Sequence, residues 1–209
     1  GFDTPPMIMM THSAPWYGRL LEGQGYVPAK DMLAYKINVD FEFPPVMKAV
    51  IHRFSSKIKL RTLQRNRLAE EMEILRDIFN DAWCENWGFI PFTEEEFVEL
   101  GNTLKWLLPD EFVQIAEVEG VPAAFMVGLP NLNEILPELN GNLFPFGWMK
   151  LIKRIKNNEI RSGRIPLMGV RKEFQNTPLG LALACLIIDA PRQAGLARGI
   201  DEVELSWIL

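Results

Sequence analysis

Histidine and cysteine are scarce in this chain. Its 209 residues hold two of each, His12 and His52, Cys84 and Cys185. Neither histidine stands at metal-ligand spacing from a cysteine, so no zinc site is expected. A serine triad has little histidine to draw on, and the Gly-x-Ser-x-Gly elbow is missing. So are a Walker sequence, a Rossmann glycine fingerprint and any repeat at solenoid period. No run approaches the roughly 18 consecutive apolar residues of a membrane span, and no charged-then-apolar start suggests a secretory signal. The expectation is a cytoplasmic protein with no membrane partner. Two distant cysteines make no disulfide framework, and both read as buried thiols, Cys185 inside an apolar helical stripe.

What is present is an ordinary globular balance, 48% hydrophobic and 23% charged, enough for one sizeable core. The charge is unevenly placed. Residues 69–119 carry fourteen carboxylates against Arg76 and Lys105, a net −12, whereas 150–172 carry eight bases against Glu159, a net +7. Such polarity would steer a polyanion to one end and a cationic amine to the other; two solvated helix faces explain it equally well. The basic stretch, with Phe144, Phe146 and Trp148 beside it, also has the composition of a nucleic-acid surface. The acidic whole chain and the lack of any module pattern argue against nucleic acid as a partner.

Periodicity predicts an α/β order. Residues 57–64 alternate as a strand, and Leu68, Met72, Leu75, Ile78, Phe79 and Ala82 mark one face of a helix over 67–83. Thr93 and Glu96 form a capping box that opens a second helix, running from Glu94 to about Leu107 and stopped by Pro109. Runs 112–118 and 122–129 flank Glu119-Gly120, the composition of a hairpin turn. A short helix over 131–139, a turn at Asn140-Gly141 and an apolar-basic helix over 146–155 follow. In that last helix Trp148, Met149, Ile152 and Ile155 would face the core or a substrate tunnel, with the core favoured because large apolar residues at helical spacing usually pack. The paired prolines of Phe41-Glu-Phe-Pro-Pro-Val-Met read as a linker, over 41–56.

The last forty-odd residues say most about function. An apolar run over 165–170 leads into the turn Gln175-Asn-Thr-Pro-Leu-Gly180, then a helix-period segment over 179–196, Gly199, and a second apolar run from about Val203 to Leu209. Strand, turn, helix, strand leaves backbone N–H groups free at a helix N-terminus, a favourable seat for a pyrophosphate.

This order and the Gln175–Gly180 turn resemble the acyl-CoA binding motif of the GNAT N-acyltransferase superfamily, whose pattern is Arg or Gln, two residues, Gly, one residue, then Gly or Ala. Gln175 and Gly180 match; Pro178 stands at the first glycine and has no N–H to offer. The stretches Phe79-Asn-Asp-Ala-Trp, Trp87-Gly-Phe-Ile-Pro-Phe-Thr, Leu143-Phe-Pro-Phe-Gly-Trp and Glu204-Leu-Ser-Trp resemble a particular GNAT-like branch, the likeness covering 57–209. It implies a mixed, mostly antiparallel sheet flanked by helices, an α/β (α+β) fold. It also implies acetyl-CoA or another acyl-CoA as substrate, with transfer to a small-molecule or peptide amine by direct attack.

By the same resemblance the backbone of Met168, Gly169 and Val170 would pair with pantetheine. Gln175, Asn176, Thr177, Leu179 and Gly180 would hold pyrophosphate, and the opposing strand would carry Ser206 and Trp207. For the base, Glu117 and Glu204 are the candidates, each against the plainer reading of a solvated strand carboxylate. The family's thiolate-protonating tyrosine falls at Leu21; Tyr17, one helical turn earlier, is a substitute or a packing residue. Residues 1–40 resemble the closing helix and last strand of such a domain, whereas 57–209 lack those closing elements. This is the pattern of a fragment of a tandem-domain protein, the tail of one domain followed by the head of another; alternatively, and favoured here, the head segment completes the sheet, in its own chain or by exchange with a neighbour in a homodimer. Two functions stay open: an N-acyltransferase, and a non-catalytic GNAT-like binding or scaffolding module, the latter favoured by Pro178, Leu21 and the thin choice of base.

Overall fold

The computed structural model describes residues 3–105 and 108–208. In chain order the elements are α1 (Tyr17–Gly23), β1 (Leu33–Asn38), α2 (Pro45–Phe54), β2 (Ile58–Thr62), α3 (Leu68–Trp83), α4 (Glu94–Leu104), β3 (Val113–Val118), β4 (Val121–Pro130), α5 (Leu136–Leu139), α6 (Gly147–Lys156), β5 (Ser162–Val170), α7 (Pro178–Ala197) and β6 (Glu202–Ile208). The expected ends at Leu107 and Leu209 lie outside the described residues.

Six strands form one sheet in the order β1-β6-β5-β4-β3-β2, antiparallel throughout except for β5 beside β6. That parallel pair follows from its connection: α7 carries the chain from the end of β5 back to the start of β6, as a parallel crossover requires. The β3–β4 hairpin turns on Glu119 and Gly120, both at positive φ (53° and 84°), the geometry of a two-residue turn matched to strand twist.

Helices cover both faces. On one, α3 buries Met72, Leu75, Ile78 and Phe79 against Ile115, Phe125 and Val127, and α4 adds Phe97. Its start is fixed as the sequence predicts: the Thr93 side chain accepts from the Glu96 N–H, and Glu96 accepts from the Thr93 N–H. On the other face α7 lays Ala182, Leu183 and Ile187 on Ala116, Ala124 and Met126. By length and composition α7 could cross a membrane, yet this face of it is core.

Three expectations are corrected. Residues 41–56 are not a linker: α2 occupies 45–54 and packs on α7, its prolines standing at the N-cap and first helical position where no N–H is needed. Cys84 is exposed, because it follows the last residue of α3 and the helix's buried stripe has ended; Cys185 is buried, and burial raises its thiol pKa. In α6 only Ile155, with Leu151, packs inward, on Ile135, Leu139 and Ile160, while Trp148, Met149 and Ile152 are exposed. The head segment lies in its own chain's sheet, β1 pairing antiparallel with β6 from Leu33↔Ile208 to Asn38↔Glu202.

Candidate functional site

Strands β5 and β6 run paired from Ser162↔Glu202 to Ile165↔Leu205 and then separate. Pro166 follows the last pair; it has no amide to continue a ladder, so the parting is written into the sequence. Beyond it lies an open cleft of about 440 Å³, with Met168, Gly169 and Val170 on one wall and Leu205, Ser206, Trp207 and Ile208 on the other. Met168 and Trp207 line the cleft and do not plug it. The Met168 carbonyl accepts from the Trp83 indole N–H at 2.8 Å, tying the end of α3 to the parted edge.

The turn before α7 closes the outer end. Gln175 donates through Nε2 to the carbonyls of Val170 (2.9 Å) and Ala82 (3.0 Å), so its side chain braces the turn against β5 and α3. Thr177 caps α7, its hydroxyl accepting from the Gly180 N–H at 3.0 Å. A Cβ at Gly180 would come within 2.0 Å of the Phe174 carbonyl oxygen, so glycine is fixed there by close backbone approach. The amides of Gln175 and Thr177 already bond to the carbonyls of Lys172 and Phe174. With Pro178 lacking an N–H, the turn keeps Asn176 and Leu179 as its amide donors for an anion.

On the α3 face the cleft runs into a second, larger depression of about 830 Å³, and the two share Trp83, Asn86, Pro166, Ser206 and Trp207. Its wall is aromatic and aliphatic: Phe79, Trp83, Trp87, Phe89, Ile90 and Phe92, backed by Leu100 and Leu104. Phe79 organises it, stacking on Trp83 with centroids 5.3 Å apart and meeting Phe92 at 5.5 Å. Asn80 holds the loop between α3 and α4 in place, donating to the Phe92 carbonyl and accepting from the Phe92 N–H, both at 3.0 Å.

One polar cluster stands where cleft and groove meet. Ser206 donates to Glu204 at 2.7 Å and accepts from Arg164 Nε at 2.9 Å, and Arg164 stacks over the Trp207 ring at 5.5 Å. Arg164 is almost fully buried, and a second bond, to the Ile8 carbonyl, satisfies it further. Burial lowers its pKa, with the Glu204 carboxylate working in the other direction.

The structure therefore brings together part of what the sequence nominated. Met168, Gly169, Val170 and Gln175 line the cleft. Asn176, Thr177, Leu179 and Gly180 form the turn beyond it, with Thr177 and Gly180 spent on capping. Glu204 lines neither cleft nor groove and is linked to their junction only by its bond to Ser206. Glu117 does not: it lies on β3, two strands from the cleft, bonded to Arg61 at 2.6 Å. The same Arg61 binds buried Glu71 at 2.7 Å, and these two carboxylates raise its pKa against the lowering that burial alone would cause. Tyr17 is also displaced, since α1 has no buried residue and Tyr17 packs edge-on against Trp16 outside cleft and groove. Arg164, Pro166 and the aromatic wall were missed as site residues. The five aromatics Phe79, Trp83, Trp87, Phe89 and Phe92, clustered across a helix end and loop, were the available signal.

No family model matches this sequence. It is 49% identical over 210 residues to Protein YghO of Escherichia coli (strain K12), with all of this chain and 54% of the relative covered. It is 40% identical over 210 residues to the Bacterial ceramide synthase of Caulobacter vibrioides, again over all of this chain and 55% of the relative. The chain thus spans about half the length of the curated relatives it matches. Among solved structures, a GCN5-related N-acetyltransferase from Sphaerobacter thermophilus superposes with a TM-score of 0.53 at 20% identity, over 90% of this chain and 45% of the other. A GCN5-related glucosamine N-acetyltransferase region of a fungal multi-domain β-N-acetylglucosaminidase gives 0.53 at 13% identity, over 92% of this chain and 20% of that one. With six mostly antiparallel strands, a parted parallel pair and a helix between them, the chain has the fold of the GCN5-related N-acetyltransferases.

Proposed function

We propose that this chain is the catalytic region of an acyl-CoA-dependent N-acyltransferase whose amine acceptor carries a long apolar chain. The observation that carries the reading is the continuity of an open cleft between β5 and β6 with an aromatic groove of about 830 Å³ on the α3 face. Acetyl acceptors that are small and polar have no use for such a wall; a hydrocarbon chain does, at about 0.8 kcal/mol per buried methylene. The name of the 40% identical relative agrees, because a ceramide is a long-chain amino alcohol acylated on nitrogen. The acceptor class we infer is therefore a lipid amine of the sphingoid type.

In this reading the pantetheine arm extends along the parted edge of β5 at Met168, with the CoA phosphates toward Asn176 and Leu179. The acceptor lies in the groove with its amine beside Ser206. Its nitrogen attacks the thioester carbonyl carbon, the C–N bond forms, the C–S bond breaks, and CoA leaves as the thiolate. The amine proton passes to Ser206 Oγ as that hydroxyl gives its own proton to Glu204, the 2.7 Å bond already in place. Arg164, bonded to the Ser206 oxygen, holds the relay in line. The braced turn and the tied Trp83 hold the β5 wall against α3, part of the positioning on which direct transfer depends.

The test is product formation. The full-length protein incubated with a long-chain acyl-CoA and sphinganine should give the N-acyl product by mass spectrometry. Glu204→Gln should reduce kcat by about 10²- to 10⁴-fold with little change in KM. Binding of CoA without product from any amine, in protein that stays folded, would instead support the second reading, a non-catalytic module. The structural observation that favours that reading is the depleted amide cradle at Pro178.

A further inference from the structure

Helix α6 has two apolar faces, and the fold uses one. Leu151 and Ile155 dock on Ile135, Leu139 and Ile160. The adjacent arc, Trp148, Met149 and Ile152, points outward, and the loop before the helix adds Phe144 and Phe146, 75% and 73% exposed. These aromatics are held out by structure. Trp148 donates its indole N–H to the Pro145 carbonyl at 2.9 Å, and the Trp148 and Met149 amides bond to the Leu143 and Phe146 carbonyls. Loop and first turn are therefore one unit with an apolar outer surface.

The charge around that surface is of one sign. In its ten residues α6 carries Lys150, Lys153, Arg154 and Lys156 and no acid. Glu138 pairs with Lys150 and Arg154, and Glu159 pairs with Arg154. Among the described residues neither Lys153 nor Lys156 closes a salt bridge; by helical geometry Lys153 flanks the exposed arc and Lys156 lies on it, one turn beyond Ile152. Apolar aromatics rimmed by lysines whose stems can lie along the surface and whose ammonium groups reach outward are the composition of a helix lying in a membrane interface.

From this we propose that α6 and the loop before it seat the protein on an anionic lipid bilayer surface, in the plane of the headgroups. That one face of α7 is packed into the core bears only on crossing the bilayer and leaves surface binding open. A nucleic acid is the weaker occupant, because few of the bases in 150–172 remain to follow a phosphate backbone: Arg164 is buried, Arg171 pairs with Asp77, and Lys172 pairs with Glu85. Helix α6 also sits before the start of β5, the opposite end of that strand from the turn proposed for CoA phosphate. The binding claim stands on the helix itself and does not depend on catalysis.

The test is co-sedimentation of the full-length protein with vesicles of phosphatidylcholine alone and of phosphatidylcholine with about a third phosphatidylglycerol. We expect binding to the anionic vesicles, weakened by salt and lowered by about five-fold for each lysine neutralised in Lys153→Gln and Lys156→Gln. Trp148→Ser with Ile152→Ser should abolish it. Both pairs alter exposed side chains, and the lysine pair keeps the proposal testable if the apolar pair misfolds. Equal binding to both vesicle types, no binding to either, or binding unaffected by the lysine pair would overturn it. So would binding of a single-stranded oligonucleotide in place of vesicles, or a fall in oligomer mass in the Trp148 and Ile152 variant without any vesicle binding.

Discussion

Replacing Pro178 by alanine should strengthen CoA binding while weakening the fold slightly. Pro178 is the first residue of α7, where its fixed φ suits the helix and its missing N–H costs the helix nothing. The cost falls on the anion. Around it the amides of Gln175, Thr177 and Gly180 are already bonded within the turn, so one restored donor is a large fraction of what the turn can offer. A hydrogen bond to a charged acceptor contributes about 1.5–3 kcal/mol, so Pro178→Ala should tighten CoA by roughly ten-fold or more. Calorimetric titration reads this directly. Pantetheine, which lacks the pyrophosphate, should bind wild type and variant alike. Losing the proline also frees the unfolded chain by about 0.4–1 kcal/mol, so Tm should fall by about 1–4 °C. Unchanged CoA affinity, or an equal gain for pantetheine, would show that phosphate is not held at this turn.

Other outcomes follow from the same geometry. Glu71 is 2% exposed and bonded to Arg61, so Glu71→Gln should destabilise by about 3 kcal/mol, near the low end for breaking a buried pair because Glu117 still holds the guanidinium. Thermal melts should show a loss of about 6–12 °C, and a shift under 2 °C would mean the network is not buried in solution. Glu111 pairs with Arg198 at the end of α7; burial alone would raise its pKa, but its backbone bond and Arg198 outweigh that and lower it. A lowered folded pKa means stability that is present above the unfolded value of about 4.3 and lost as pH falls through the folded value. Denaturant titrations should therefore show wild type ahead of Glu111→Gln at neutral pH, with the gap closing below about pH 4; a constant gap would contradict the assignment. Ile90→Asp, in the groove wall, should raise KM for a long-chain amine and leave a short-chain amine unaffected. Equal effects on both would remove the groove from acceptor binding.

The legibility of this chain varied with the range of the interaction. The α3 stripe, the Thr93 cap and the Glu119-Gly120 turn were readable because each is set by residues within a turn or two of one another. Helix α2 has a local signal that is ambiguous, because Pro44 and Pro45 fit a helix start as well as a linker. The outward face of α6 was misassigned because periodicity shows that a helix has an apolar stripe and not which part of it meets a core. The turn before α7 was recognised from Gln175 and Gly180, yet their roles changed. Both serve the turn's own geometry, Gln175 as a brace and Gly180 by close approach to Phe174. The Arg164, Ser206 and Glu204 cluster joins two strands about forty residues apart in sequence, and only their parallel register places them side by side.

Initial rates with a homologous series of primary amines test whether the acceptor carries an apolar chain. With one acyl-CoA held saturating, kcat/KM should climb by about three- to four-fold per added methylene until the groove is filled, then level off. A flat series, or a preference for short polar amines, would contradict the account and leave the aromatic wall without a ligand.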